Sequence, residues 1–314
     1  MQITNIYNLP QQLVDVVSSD YQPKEKQYSC TTILKSTRQI ILERKYNDVL
    51  TQDVSDMAWL IFGIAVHSII ENGKETDTQF KEEYLKEDLG KFCKELEGYK
   101  LSGRSDLIDL EKGEIVDWKT CSVWKVLFGD YEDWRKETLI YAWLVKQMGF
   151  DVRKARIVAF IKDHKKSEAK YKKDYPQFPV HTVEFDFTDK DFADIEEFII
   201  NKFLEIKHYE NAEDFDLPMC TLEERFNTGD TFAIKKKGNV KALKVHKTLE
   251  EAREHLINLN NKYPGVYEIE ERKGIDKKCV DGYCKCCKFC PYYLMNYDTD
   301  IAEITLEMAE NKED

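Results

Sequence analysis

The chain has 314 residues, 42% of them hydrophobic, and a net charge of −12 at neutral pH. That length has room for one large core and a smaller appended lobe, and it reads as having no apolar run near twenty residues, so a soluble chain without a membrane partner is expected. The acidic total opposes non-specific attraction to nucleic acid without excluding it, because DNA responds to the local field rather than to the sum.

In chain order, residues 1 to 28 are polar and read as an irregular arm. Helical patterns are expected from Thr31 to Glu43 and from Asp56 to Glu71. Within the second, Gly63, His67 and Glu71 are spaced four apart, so His67 and Glu71 share a face; Gly63 would let this helix approach a sheet closely. The acidic stretch from Asp77 to Leu89 reads as a helix or a nearby strand.

The most informative segment follows. Gly103-Arg104-Ser105-Asp106-Leu107-Ile108-Asp109 and Glu114-Ile115-Val116-Asp117-Trp118-Lys119 read as two strands joined by a turn at Lys112-Gly113. Asp117 and Lys119 are two apart and point to one face, with Trp118 on the other. Two carboxylates on adjacent strands, with the Trp118 carbonyl between them, form an oxygen cage suited to a hard divalent cation such as Mg²⁺ or Mn²⁺. A lysine beside that cage can orient or deprotonate a water, or offset phosphorane charge, which points to phosphodiester hydrolysis.

Downstream, the segment from Trp134 to Leu144 is a helix with Glu137 and Tyr141 on one face. Ala155 to Ile161 and Val180 to Phe187 read as strands, and Asp189 to Tyr209 as a long amphipathic helix. Of nine cysteines, the last five, Cys279, Cys284, Cys286, Cys287 and Cys290, are crowded together. Without a secretory signal, such crowding argues for metal ligation rather than disulfides. Between Cys220 and Cys279 a β-β-α-β insert is expected: a hairpin around Gly238-Asn239, a helix from Leu249 to Tyr263 and a strand from Val266 to Glu271. Two lysine runs, Lys162 to Lys173 and Lys235 to Lys247, could track phosphates, and Glu307 to Asp314 reads as a frayed acidic tail.

The ordered set Gly63-x-x-x-His67-x-x-x-Glu71, Asp106, Asp117-x-Lys119 and Glu137-x-x-x-Tyr141 resembles the PD-(D/E)XK nuclease superfamily, in its RecB-like and phage exonuclease branch. Ser105 stands where the family name has proline. The resemblance implies an α/β fold of the restriction-endonuclease kind, with a mixed central sheet flanked by helices. It divides the chain into an arm (1–28), a nuclease core (29–215), a cysteine-bracketed region (216–293, with the lobe at about 230–272) and a tail (294–314). It further implies that Asp106, Asp117 and the Trp118 carbonyl hold Mg²⁺ or Mn²⁺, that His67 and Glu71 complete the shell, and that Lys119 manages the attacking water. Cleavage would leave a 3′-hydroxyl and a 5′-phosphate. Glu137 and Tyr141 fall where relatives carry glutamine and tyrosine near the DNA backbone. A carboxylate cannot donate to a phosphate, so Glu137 reads as a metal-side acid or as marginal.

The terminal cysteines, together with Cys220-x-x-Glu223-Glu224-Arg225-Phe226, are similar to those of relatives holding a [4Fe-4S] cluster. That implies Cys220, Cys279, Cys284 and Cys290 as ligands, with Zn²⁺ as the alternative and Cys30, Cys286 or Cys287 as substitutes. The expected function is a metal-dependent DNA exonuclease of phage or prophage type, active in recombination or replication in the cytoplasm of a bacterial host. Its partners would be DNA and a single-strand annealing or recombination protein. The alternatives are a catalytically silent DNA-binding scaffold, and an endonuclease, resolvase or RNA nuclease on the same fold.

Overall fold

The computed structural model describes residues 1–18 and 23–298; the tail expected from Glu307 to Asp314 lies outside the described residues. The chain divides into two compact units, residues 1–212 and 213–314. The first runs β1 (Gln2–Thr4), α1 (Gln11–Val17), β2 (Gln27–Ser29), α2 (Cys30–Ile33), α3 (Thr37–Lys45), β3 (Thr51–Asp53), α4 (Ala58–Glu71), β4 (Gln79–Asp88), β5 (Lys100–Asp109), β6 (Glu114–Cys121), α5 (Val123–Phe128), α6 (Glu132–Gln147), β7 (Lys154–Ile161), α7 (Lys166–Tyr171), β8 (Val180–Asp186) and α8 (Asp189–Tyr209).

Its main sheet has the order β2-β5-β6-β7-β8, with β4 also pairing β5. β2 on β5 and β6 on β7 are parallel and the remaining pairs antiparallel, so this is the mixed sheet flanked by helices that the motifs imply. The hairpin register, Leu107↔Val116 to Asp109↔Glu114, closes through Gly113 at φ +61°, a conformation that glycine adopts without a Cβ penalty. Buried Leu101, Ile115, Ile140, Trp143, Leu144, Ile199 and Phe203 belong to one core formed by sheet, α6 and α8. Each such side chain contributes about 1.5–3 kcal/mol on burial. A capping box of Thr188 and Asp191 starts α8.

The structure resolves one expectation and changes several others. Of the two alternatives open for the stretch from Asp77 to Leu89, strand is the one formed: β4, Gln79–Asp88, pairs with β5 from Gln79↔Asp109 to Asp88↔Lys100, with one break at Glu82. The helix expected from Thr31 to Glu43 is two helices, each with its own serine N-cap, Ser29 and Ser36. The first residues are not an irregular arm: β1 pairs in parallel with β3, and Ile3, Leu13 and Val14 pack against buried Val17, Val54 and Met57. Finally, Val54–Glu71 is helix long and apolar enough, by length and composition only, to cross a membrane. No residue of α4 is buried, yet it lies on the sheet, with Gly63 facing Thr120 of β6. A Cβ at Gly63 would be 3.8 Å from Thr120 Oγ1, ordinary contact, so this approach does not require glycine.

The second unit contains β9 (Thr231–Lys236), β10 (Ala242–His246), α9 (Leu249–Lys262), β11 (Tyr267–Arg272), α10 (Lys277–Val280) and α11 (Pro291–Tyr297). The three strands form an antiparallel sheet in the order β10-β9-β11, giving the β-β-α-β lobe read from the turn and helix signals. Within the second lysine run, Lys235 is paired with Glu268 and Glu270.

Candidate active site

The β5–β6 ladder stops at Leu107↔Val116. The next residues along, Asp106 and Asp117, do not pair through their backbones; instead the Trp118 N–H donates to Asp106 Oδ2 at 2.8 Å. The strands therefore splay where both carboxylates stand. Across β5, pairing with β4 also lapses between Lys81↔Leu107 and Glu83↔Ser105, and there Glu82 takes a left-handed backbone, φ +51°. For a residue with a side chain that conformation costs on the order of 1 kcal/mol or more. It leaves the Glu82 carboxylate beside Asp106.

α4 supplies the third group. His67 Nδ1 is 3.3 Å from Asp106 Oδ1, and the hydrogen bond to Asp106 raises the imidazole pKa, with burial opposing and Asp117 and the Trp118 backbone assisting. His67, Glu82 and Asp106 each offer a ligand atom within 4.8 Å of the other two. Burial, then Asp106 and Glu71, raises the Glu82 pKa. One nitrogen and several carboxylate oxygens form a donor set for a divalent cation.

Asp117 lies beside this group and is buried. Its Oδ2 is 3.0 Å from Lys119 Nζ yet receives no hydrogen bond. Burial pushes the Asp117 carboxyl up to about 7; Lys119 opposes the rise, and Asp106 and Glu137 add to it. A carboxylate so reluctant to ionise alone, with an oxygen left over, fits a place next to a cation.

Lys119 bridges Asp117 and Glu137, with Nζ 2.8 Å from Glu137 Oε2. Burial disfavours its ammonium form, but the two carboxylates outweigh burial and raise its pKa. Lys119 is therefore a held cation, suited to orienting a water or a phosphate oxygen rather than to taking a proton. Glu137, whose place was open between a metal-side acid and a marginal residue, fixes Lys119.

Two expected residues lie outside the close group yet within its electrostatic reach, Glu71 bearing on Glu82, and Glu137, Asp117 and Asp106 on Tyr141. Glu71 is the exposed last residue of α4 and lies outside the close group; its backbone carbonyl accepts from Lys81. Tyr141 is 7% exposed and belongs to the core, its ring against Gly103, and burial raises its pKa. Glu82 was missed because one acid in an acidic stretch looks like solvated surface. Only the pairing of β4 with β5 reveals it.

In the second unit, burial raises the Cys279 thiol to about 12, and Cys284, Asp276, Cys220 and Cys290 add to the effect. Cys220, Cys284 and Cys290 are thus each within electrostatic reach of Cys279. Cys286 Sγ lies 3.6 Å from Cys284 Sγ. Cys30, by contrast, is fully buried in the core of the first unit and its thiol donates to the Ser102 carbonyl. What organises the cysteine segments is buried Asp276. It accepts from Arg225 Nη1 at 2.9 Å, Asn227 Nδ2 at 2.5 Å, Tyr292 at 2.7 Å and Tyr297 at 2.9 Å. Burial works against this carboxylate, but the donated hydrogen bonds and Arg225 win and lower its pKa.

No curated protein matches the chain. Among solved structures, SSO0001 is similar over 66% of this chain and 87% of its own, at 16% identity and a TM-score of 0.43. A phage-related exonuclease from Haemophilus somnus 129PT is similar over 57% of this chain and 92% of its own, at 12% identity and a TM-score of 0.33. The model of the PD-(D/E)XK nuclease superfamily matches residues 66–293, a span that takes in His67, Glu82, Asp106, Asp117, Lys119 and Glu137. The chain belongs to the PD-(D/E)XK nuclease superfamily.

Proposed function

We propose that this nuclease is a deoxyribonuclease that uses Mg²⁺ or Mn²⁺ and acts as an exonuclease of phage or prophage type in recombination or replication, in the cytoplasm of a bacterial host. The observation that carries this reading is the convergence of His67, Glu82 and Asp106 at the splayed strands, with Asp117 and the Lys119–Glu137 pair beside them.

Asp106, Glu82, His67 and Asp117 would hold the cation, with the Trp118 carbonyl available as a further oxygen. When bound, the cation polarises the phosphodiester and offsets the charge that develops in the transition state. Asp106 fixes the Trp118 backbone through its accepted hydrogen bond. Lys119, kept charged by Glu137, orients the attacking water or a phosphate oxygen and donates to the developing negative charge. Cys220, Cys279, Cys284 and Cys290 would hold a [4Fe-4S] cluster or Zn²⁺, with a structural rather than a catalytic part. A single-strand annealing or recombination protein would be the protein partner.

The test is Asp117→Asn. Turnover of DNA in Mg²⁺ is expected to fall on the order of a thousandfold, since charge stabilisation at the metal supplies most of the rate, and calorimetry should show weakened Mn²⁺ binding. Lys119→Ala should keep Mn²⁺ binding and lose rate. Wild-type speed in Asp117→Asn would overturn the reading.

A further inference from the structure

The lysine run from Lys162 to Lys173 has no part in the chemistry above, and the structure gives it a cavity to line. Between α5 and the segment around α7 lies a cavity of about 590 Å³ whose walls include Trp124, Leu127, Lys165, Lys172, Lys173 and Tyr175. Its acidic members are largely committed: Asp163 accepts from the Val123 N–H at 2.6 Å, and Glu168 pairs with Lys172. Asp174 also lines it. The Lys165 N–H donates to the Tyr175 hydroxyl at 2.8 Å, so the basic segment is fastened where it meets the cavity.

Of the two aromatic residues that line the cavity, Tyr175 is buried and Trp124 is open to solvent, with Phe128 beside it. Trp124 is 58% and Phe128 76% exposed, and their rings stack with centroids 5.8 Å apart. A second exposed indole, Trp59, has the Lys162 ammonium 4.0 Å above its ring. The Lys162 N–H donates to the Cys121 carbonyl, which puts this pair at the same end of β6 as α5. From Lys119 to the start of α5 is at most roughly 13 Å of extended chain, about the length of four stacked nucleotides.

We infer that this cavity receives an unpaired nucleotide of the strand being cut, with Trp124 stacked on the base and Lys165 and Lys173 on the neighbouring phosphate. The preferred substrate is then DNA with a single-stranded end. This inference rests on the nuclease reading. The choice between strand forms follows from the chemistry of the walls: a duplex covers its base faces and offers phosphates alone, for which lysines suffice. An exposed indole gains by stacking only where a base face is free.

The test measures binding in Ca²⁺ and cleavage in Mg²⁺ by the full chain, with a short oligothymidylate and a blunt duplex as probes. Trp124→Ala should weaken oligothymidylate binding about ten- to a hundredfold, leave the blunt duplex unchanged, and leave the melting temperature unchanged because the ring is exposed. Trp124→Phe should recover most of the loss. The double variant Lys165→Gln, Lys173→Gln should reduce the log–log salt slope for the single strand by about 1.4. Cleavage of DNA by wild type, with Trp124→Ala weakening neither probe or both alike, would overturn this inference and leave the nuclease reading standing. A change in sedimentation of Trp124→Ala without DNA, with binding unaltered, would overturn it in favour of a second copy on that face. A wild type that cuts no DNA would bring down both.

Discussion

In the first unit the acidic cluster rides on one sheet: β5 and β6 part at the site, but the β4–β5 and β6–β7 ladders that carry Glu82, Asp106 and Asp117 run on past it, over a core containing Leu101, Ile115 and Ile140. In the second unit the clustered thiols come from short segments, α10, α11 and the turns beside them, and side chains converging on Asp276 hold these together. The difference lies in what each cluster can lose. A backbone ladder survives the removal of one carboxylate, so the acidic site can fail in chemistry while its fold stands. A cluster gathered by side chains fails in structure first.

The largest expected effect on this contrast is at Asp276. Asp276→Ala leaves the Arg225 guanidinium and two tyrosine hydroxyls without their acceptor, and removing one partner of a buried pair costs about 3–5 kcal/mol. Denaturant unfolding should show that loss, whereas Asp117→Asn, which abolishes rate, should unfold no earlier than wild type when free of metal. Equal stability of Asp276→Ala and wild type would break the comparison.

Next comes Cys284→Ser. Where a metal is bound by residues that only the folded chain assembles, its binding energy becomes folding energy, so a loaded protein should lose several kcal/mol with this change and still cleave DNA. Protein purified without oxygen that holds neither iron nor zinc, and melts identically after Cys284→Ser, would remove the thiol site from the account. Smaller again is Gly103→Ala in β5. A Cβ there would meet Cys30 Sγ and Tyr141 Cε1, each at 2.6 Å, and overpacking of that kind costs about 1–3 kcal/mol. The melting temperature should fall, and the additional change Cys30→Ala should restore part of it.

The sequence carries the features that local signals specify. The hairpin shows in its apolar pairs and turn glycine, α8 in its long amphipathic period, and the lobe in Gly238-Asn239 followed by a helix and a strand. It does not carry what long-range register decides. Glu82 becomes interesting only once β4 lies antiparallel on β5 and places it across from Asp106. Glu137 was visible as a residue, but its partner was not, because Lys119 and Glu137 meet only when α6 packs on the sheet. Asp276 gave no signal at all: a buried carboxylate reads like any surface acid until Arg225 and two tyrosines close on it. The three-residue β1 was too short for a period to form.

The last effect lies in the protons of the acidic cluster and is spread over several pH units. Without metal, burial pushes the Asp117 carboxyl up to about 7, far above an ordinary aspartate at about 3.9. Between those values the folded chain keeps a proton that the unfolded chain has released. Stability from this group is therefore present at low pH and falls as pH rises toward 7, at up to about 1.4 kcal/mol per pH unit. His67 acts in the same direction: its raised pKa stabilises the fold below about 6.5, and that contribution fades as pH rises through the folded value. A bound divalent cation removes both protons, so Mn²⁺ binding near pH 6.5 should release protons and tighten as pH rises toward 8. Calorimetry in two buffers of different ionisation enthalpy measures that release. Melting of chelator-treated protein from pH 5 to 8, wild type against Asp117→Asn, isolates the aspartate, because every other titrating group is common to both. The variant should lose less stability with rising pH; parallel curves would mean that Asp117 is an ordinary exposed carboxylate in solution and that the ion-free site is already open to water.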